Sequence, residues 1–164
     1  MNDKLQCNGN LMCQLLSLGD NLSSQWLDPR VVDDFMALKA GYTRAYDLIY
    51  RFNLGVSKIF TLGDVAHMAE FCTPAGLERM QKKYQLWREK NITGLNLLSM
   101  EMLSVNGLNP DNCECPFEVF TFERWTFSYA DGRKVDTSGS IDRYQLECYQ
   151  GVNRIDFVET FARE

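Results

Sequence analysis

The chain has 164 residues, 45% hydrophobic and 24% charged, with ten Phe, seven Tyr and three Trp. That is the size and composition of one globular domain with a single core. A net charge of −5 and a pI near 5.0 argue against a nucleic-acid partner, which would need clustered Lys and Arg to displace phosphate counterions. The one dense basic run, Arg79, Lys82, Lys83, Arg88 and Lys90, reads at helical spacing as a solvated face.

No segment has the basic, apolar and small-residue zones of a secretory signal, and no apolar run approaches the roughly 20 residues of a membrane-spanning helix. The expectation is a soluble domain, without membrane insertion, in a reducing intracellular compartment: cytoplasm or an equivalent such as plastid stroma. Cys7, Cys13, Cys72, Cys113, Cys115 and Cys148 are then mostly free thiols.

Residues 1–27 mix Asn, Gln, Ser and Cys with one apolar stretch, Leu11 to Leu18, and read as an N-terminal arm. A single domain is expected over 28–164. Asp28 before Pro29 is an N-cap followed by proline at the first helical position. Val31, Phe35, Leu38, Tyr42, Ala45 and Ile49 follow at steps of three and four, predicting a helix over 29–51. Asn53 and Gly55 signal a break, with a second short helix from Leu54 to Phe60 and another turn capped by Asp64. Thr73-Pro74 repeats the cap-and-proline signature and starts a helix whose apolar side is Leu77, Met80, Tyr84 and Trp87, ending near Lys90.

From Leu95 the period changes to 2. Leu95 to Val105 carries apolar groups on both faces and reads as a central strand; residues 106–116 read as a loop. Phe117 to Tyr129 is a strand with Phe117, Val119, Trp125, Phe127 and Tyr129 on one face and Phe120 and Phe122 on the other. Asp131-Gly132 is a hairpin signal, leading to a strand over 139–149, and Gln150-Gly151 turns the chain into a last strand, 153–161. Helices in one block and strands in the next predict an α+β fold, N-terminal helices packed on a strongly curved antiparallel four-stranded sheet.

This order of elements resembles the NTF2-like superfamily, in which a long helix and shorter helices fold against a bent sheet to form a cone. The resemblance rests on Val31 to Tyr50, on Phe71-Cys72-Thr73-Pro74-Ala75-Gly76-Leu77, on Glu118-Val119-Phe120-Thr121-Phe122-Glu123-Arg124-Trp125 and on Asp142-Arg143-Tyr144-Gln145-Leu146. The E-x-W strand, D-G turn and aromatic strand are similar to the noncatalytic IMS-type domains of plastid-division and cyanobacterial proteins. Enzymes of the superfamily generally place an acid-base pair, often His and Asp, at the mouth of the cone.

The single histidine, His67, follows Asp64 by three residues, so the two could meet on a helix as a general-base pair. The plainer reading is a cap and an ordinary helix residue. Cys113-Glu114-Cys115 with Cys7 and Cys13 invites zinc, but C-x-C puts adjacent thiols on opposite sides of an extended chain. No metal and no cofactor are expected. Glu123, Arg124, Asp142 and Arg143 read first as cross-strand ion pairs, and alternatively as the polar lining of a pocket walled by Trp125, Phe127, Tyr129 and Tyr144 that takes a small apolar ligand.

Phe120, Phe122 and Arg124 lie on the face that the helices leave open, a surface for a homodimer or another protein partner. The leading expectation is therefore a noncatalytic binding or scaffold domain acting through its sheet face. The runner-up is a small lyase, isomerase or cyclase using Asp64 and His67.

Overall fold

The structure, a computed structural model, describes residues 29–106 and 117–161. Pro29–Leu62 is one helix, α1, of 34 residues, whose buried stripe includes Tyr42, Ala45, Ile49, Phe52, Val56 and Ile59. Full burial of a side chain such as Ile49 or Ile59 contributes roughly 1.5–3 kcal/mol.

The expected break at Asn53 and Gly55 does not occur. Both residues serve packing from inside the helix. A Cβ on Gly55 would lie 2.6 Å from the sulfur of Met68, so the glycine lets the next element approach closely, offsetting a helix-propensity cost of about 1 kcal/mol. Asn53 is 1% exposed, and its side chain bonds across to the sheet.

Gly63, at φ +78°, ends α1 with its N–H donating to Ile59 O at 2.8 Å. Asp64 Oδ1 accepts from Ala66 N–H and leads into a short 3-10 helix, Ala66–Glu70. Pro74–Glu89 forms α2; the Thr73 hydroxyl caps it by accepting from Gly76 N–H at 3.0 Å. Around this cap the chain is tied to the sheet: Thr73 N–H donates to Ile155 O, and Ile155 N–H donates to Phe71 O. Arg79 also donates to both the backbone and the side chain of Asp156.

The strands are β1 (Ile92–Asn106), β2 (Phe117–Tyr129), β3 (Lys134–Asp136), β4 (Ser140–Tyr149) and β5 (Val152–Phe161). They form one antiparallel sheet in the order β1-β2-β4-β5, with the short β3 pairing on β2. The expected four strands are present, and β3 adds a fifth within what the sequence suggested was hairpin. Gln150 and Gly151, both at positive φ, make the predicted tight turn.

β1 differs from its expected role. It lies at the edge of the sheet, not at its centre. Its register against β2 shifts three times, at Ile92/Gly94, Leu97/Ser99 and Met102/Ser104. Each shift inserts a residue and resets the alternation, so Ile92, Leu95, Leu97, Met100, Met102 and Val105 oppose the inward side of β2 at steps of three and two. Leu98, one of the inserted residues, is 44% exposed. The two-faced apolar pattern therefore records bulges in an edge strand, and bulges bend the strand that carries them.

The core lies between α1, α2 and the inward sheet face, centred on Ile49, Ile59, Met68, Val119, Leu146 and Ile155. Among the described residues no helix is long and apolar enough to cross a membrane. The expected arm over 1–27 and the loop bearing Cys113 and Cys115 lie outside the described residues.

Gly76 fixes how closely α2 docks. A Cβ there would lie 2.3 Å from the Ile155 carbonyl oxygen, and backbone cannot swing aside as a side chain can. Gly76→Ala is expected to lower stability by about 1–3 kcal/mol despite alanine's better helix propensity, read as a lower urea midpoint. An unchanged or higher midpoint would show that the helix and strand have room to separate.

Candidate ligand cavity between the helices and the sheet

A cavity of ≈ 460 Å³ opens between the helices and the inward sheet face. Its apolar walls come from Phe52 and Val56 on α1, Met80 and Trp87 on α2, and Trp125 and Phe127 on β2. Strand alternation puts Trp125 and Phe127 inward, the same side as the buried Val119, Thr121 and Glu123.

Its polar floor is built around Glu123, 2% exposed. Oε1 accepts from Asn53 Nδ2 at 2.8 Å, Thr121 Oγ1 at 2.8 Å and the Tyr144 hydroxyl at 2.7 Å; Oε2 accepts from Trp125 Nε1 at 3.0 Å. Tyr144 Oη is also 3.1 Å from Asn53 Oδ1. The tyrosine has one proton for two oxygen contacts. With Glu123 ionised that proton goes to the carboxylate, and the Asn53 contact has no hydrogen in it. Protonating Glu123 supplies the second: the acid donates to Tyr144 Oη, which donates on to Asn53 Oδ1.

Electrostatics act in the same direction. Burial and the Asp142 charge push the Glu123 carboxyl above its ordinary 4.5, against the hydrogen bonds from Tyr144, Thr121 and Trp125. Burial, then the Glu123 and Asp142 charges, push the Tyr144 hydroxyl well above 10.0. Asp142 accepts from Ser140 Oγ at 2.8 Å through Oδ2 and from Thr160 Oγ1 through Oδ1. Half-buried Lys83 completes the charged lining. Burial holds its ammonium below the ordinary 10.5, while Asp142 and Glu123 oppose the shift.

Of the expected pocket residues, Trp125, Phe127 and Tyr144 line this cavity. Tyr129 does not; it pairs with Ile92 where β2 runs into the hairpin, and its ring meets the Arg133 guanidinium. Glu123 and Asp142 are the pocket's polar lining, whereas Arg143 sits on the other face with Glu118 and Glu159 as its ion-pair partners. The expected cross-strand pairing of these four residues is absent because neighbours along a strand point to opposite sides.

Asp64 and His67 lie outside the cavity lining. His67 Nε2 is 2.9 Å from Gly55 O, its Nδ1 is buried without a partner, and Asp64 is engaged with Ala66 N–H. Phe120 and Phe122 are half-buried on the outward face, and Arg124 is exposed. Among the described residues no group of three His, Cys, Asp or Glu could hold a metal ion.

Sequence reasoning missed Asn53, taken as a helix breaker, and Lys83, taken as part of a solvated face. The signal for Lys83 was its spacing: three residues after Met80 and four before Trp87, on the stripe that faces the sheet. Asn53 likewise follows Ile49 by four and precedes Val56 by three.

These elements define an α+β domain with a polar-floored apolar cavity. Its fold is similar to that of the intermembrane space region of chloroplast protein ARC6, with a TM-score of 0.55, 14% sequence identity, and coverage of 74% of this chain and 96% of that one. At that identity the likeness is one of fold. No family profile matches the sequence, and no curated protein matches it.

The raised Glu123 pKa makes stability depend on pH in a known direction. The folded state holds the proton more tightly than the unfolded one, so the stability it contributes is complete below about 4.5 and is lost as pH rises through the folded pKa. Urea midpoints of the wild type should therefore fall relative to Glu123→Gln as pH rises from about 4.5 towards neutrality. Parallel profiles would mean that Glu123 titrates as it does in the unfolded chain.

Proposed function

We propose that this chain is a noncatalytic binding domain of the NTF2-like type. Its outward sheet face pairs with a second copy or another protein, and its cavity accepts a small ligand with an apolar body. The observation that carries the protein-binding reading is the row Phe122–Ile141–Phe161, three apolar residues side by side across β2, β4 and β5 on the face opposite the core. Phe161 is 43% exposed, and Phe120, half-buried, lies two residues from Phe122 on the same face. Contiguous apolar surface of this kind is characteristic of interfaces, and Arg124 beside it suits the rim.

The placement of the polar groups supports binding over turnover. Glu123 is committed to four hydrogen bonds within the protein, and the one histidine is outside the cavity lining. A lyase, isomerase or cyclase working through Asp64 and His67 would need that pair at the cavity. We assign the domain to a reducing compartment, cytoplasm or plastid stroma, consistent with free thiols at Cys72 and Cys148.

Size-exclusion chromatography with light scattering tests the interface. The wild type should self-associate, and Phe120→Glu with Phe122→Glu should weaken that association by about 2 kcal/mol or more, the loss typical of a central aromatic anchor. A strict monomer, unchanged by these substitutions, would remove self-pairing through this face.

A further inference from the structure

Two opposite charges line the cavity without touching. Lys83 enters on the stripe Met80–Lys83–Trp87 of α2, its ammonium 5.3 Å from the centroid of the Trp87 ring. It makes no ion pair within 4.0 Å with any carboxylate of the described residues. Asp142 enters from β4, and each of its oxygens accepts one hydroxyl, from Thr160 and from Ser140, leaving each able to accept again. Glu123 is more fully engaged, with three donors on Oε1 and one on Oε2. The charged groups of the cavity with the most bonding capacity left are thus the Lys83 ammonium and the Asp142 carboxylate, set among aromatic and aliphatic walls.

We propose that the cavity binds a small zwitterion with an apolar body, an aromatic or aliphatic α-amino acid, whose carboxylate meets Lys83 and whose ammonium meets Asp142. This inference rests on the ligand-binding reading of the cavity given above and supplies the ligand's chemical class.

Each simpler ligand leaves one charge worse off. A hydrocarbon of the same shape would strip water from Lys83 and Asp142 and give neither a partner, which is costly in an apolar space. An anion would satisfy Lys83 while adding negative charge beside Asp142 and Glu123. A cation would satisfy Asp142 while crowding Lys83. A zwitterion pairs both ends with charge-assisted hydrogen bonds and leaves the net charge of the cavity unchanged. The volume of ≈ 460 Å³ falls within the roughly 300–1,000 Å³ of small-ligand sites. Burial lowers the basicity of Lys83 more than the Asp142 and Glu123 charges raise it.

Titration calorimetry on the full chain, with four probes of one shape, tests this. L-phenylalanine carries both charges, 3-phenylpropionate only the anion, phenethylamine only the cation, and ethylbenzene neither. L-phenylalanine should bind at least tenfold more tightly than each of the others. Lys83→Met should weaken L-phenylalanine at least tenfold and leave phenethylamine no weaker; Asp142→Asn should weaken L-phenylalanine and phenethylamine together. Circular dichroism checks that each variant folds, and the four probes on the wild type decide the matter even if Asp142→Asn does not. Binding of ethylbenzene or 3-phenylpropionate as tightly as L-phenylalanine would overturn the zwitterion while leaving a cavity that binds apolar bodies. Failure of all four to bind would overturn both readings.

Discussion

The buried carboxylate of Glu123 is the constraint on which the rest of the structure depends. Taking such a group out of water costs several kcal/mol unless its oxygens are hydrogen-bonded, and the four donors come from three elements: Asn53 from α1, Thr121 and Trp125 from β2, and Tyr144 from β4. Hydrophobic burial holds α1 against the sheet without fixing its position along it. The hydrogen bonds are directional, and they set the register. They also hold the Trp125 indole by its N–H, so that one polar cluster both locks helix to sheet and orients a wall of the cavity.

A cavity at this position also needs a sheet that curves away from the helices. The three register shifts of β1 supply bending at one edge, where a bulge disturbs a single ladder. At the other side, β5 is pulled towards α2 by the Thr73 and Arg79 bonds to Asp156 and by the close pass of Gly76 over the Ile155 carbonyl. Burial would raise the Asp156 pKa, but the Thr73 hydroxyl and the Arg79 guanidinium hold it below its ordinary value. Its charge therefore persists through the neutral range and keeps this edge closed. The sheet is drawn in at β5 and bent at β1, and the space between is the cavity.

How far the sequence could be read depended on whether its signals were local. The cap at Thr73, the turn at Gln150-Gly151 and the alternation of β2 are settled by neighbouring residues, and the structure has all three. Asn53 and Gly55 were misread because their local preference opposes helix while their tertiary partners, Glu123 and Met68, favour it. The strand β1 was placed at the centre because insertions that reset an alternation look, in one dimension, like two apolar faces. In the candidate site, Trp125, Phe127 and Tyr144 were legible from alternation, and Glu123 and Asp142 as a possible lining. Lys83 was hidden in a basic run, since charge counting does not distinguish a lysine on the wet side of a helix from one on its inner stripe.

Strand β2 carries both candidate surfaces. Phe120 and Phe122 point outward while Thr121 and Glu123, between and beside them, point into the polar floor. A strand has a period of 2, so a slip of one residue would exchange the two sets, placing phenyl rings against the Asn53 amide and a carboxylate on the open face. The hydrogen bonds of Glu123 oppose that slip. The same bonds that form the cavity floor therefore hold the outward aromatics in place, which gives the two surfaces a shared mechanical basis although no side chain belongs to both. Such an arrangement favours a rigid platform over a flexible hinge: each face is presented by a strand whose opposite side is already fixed.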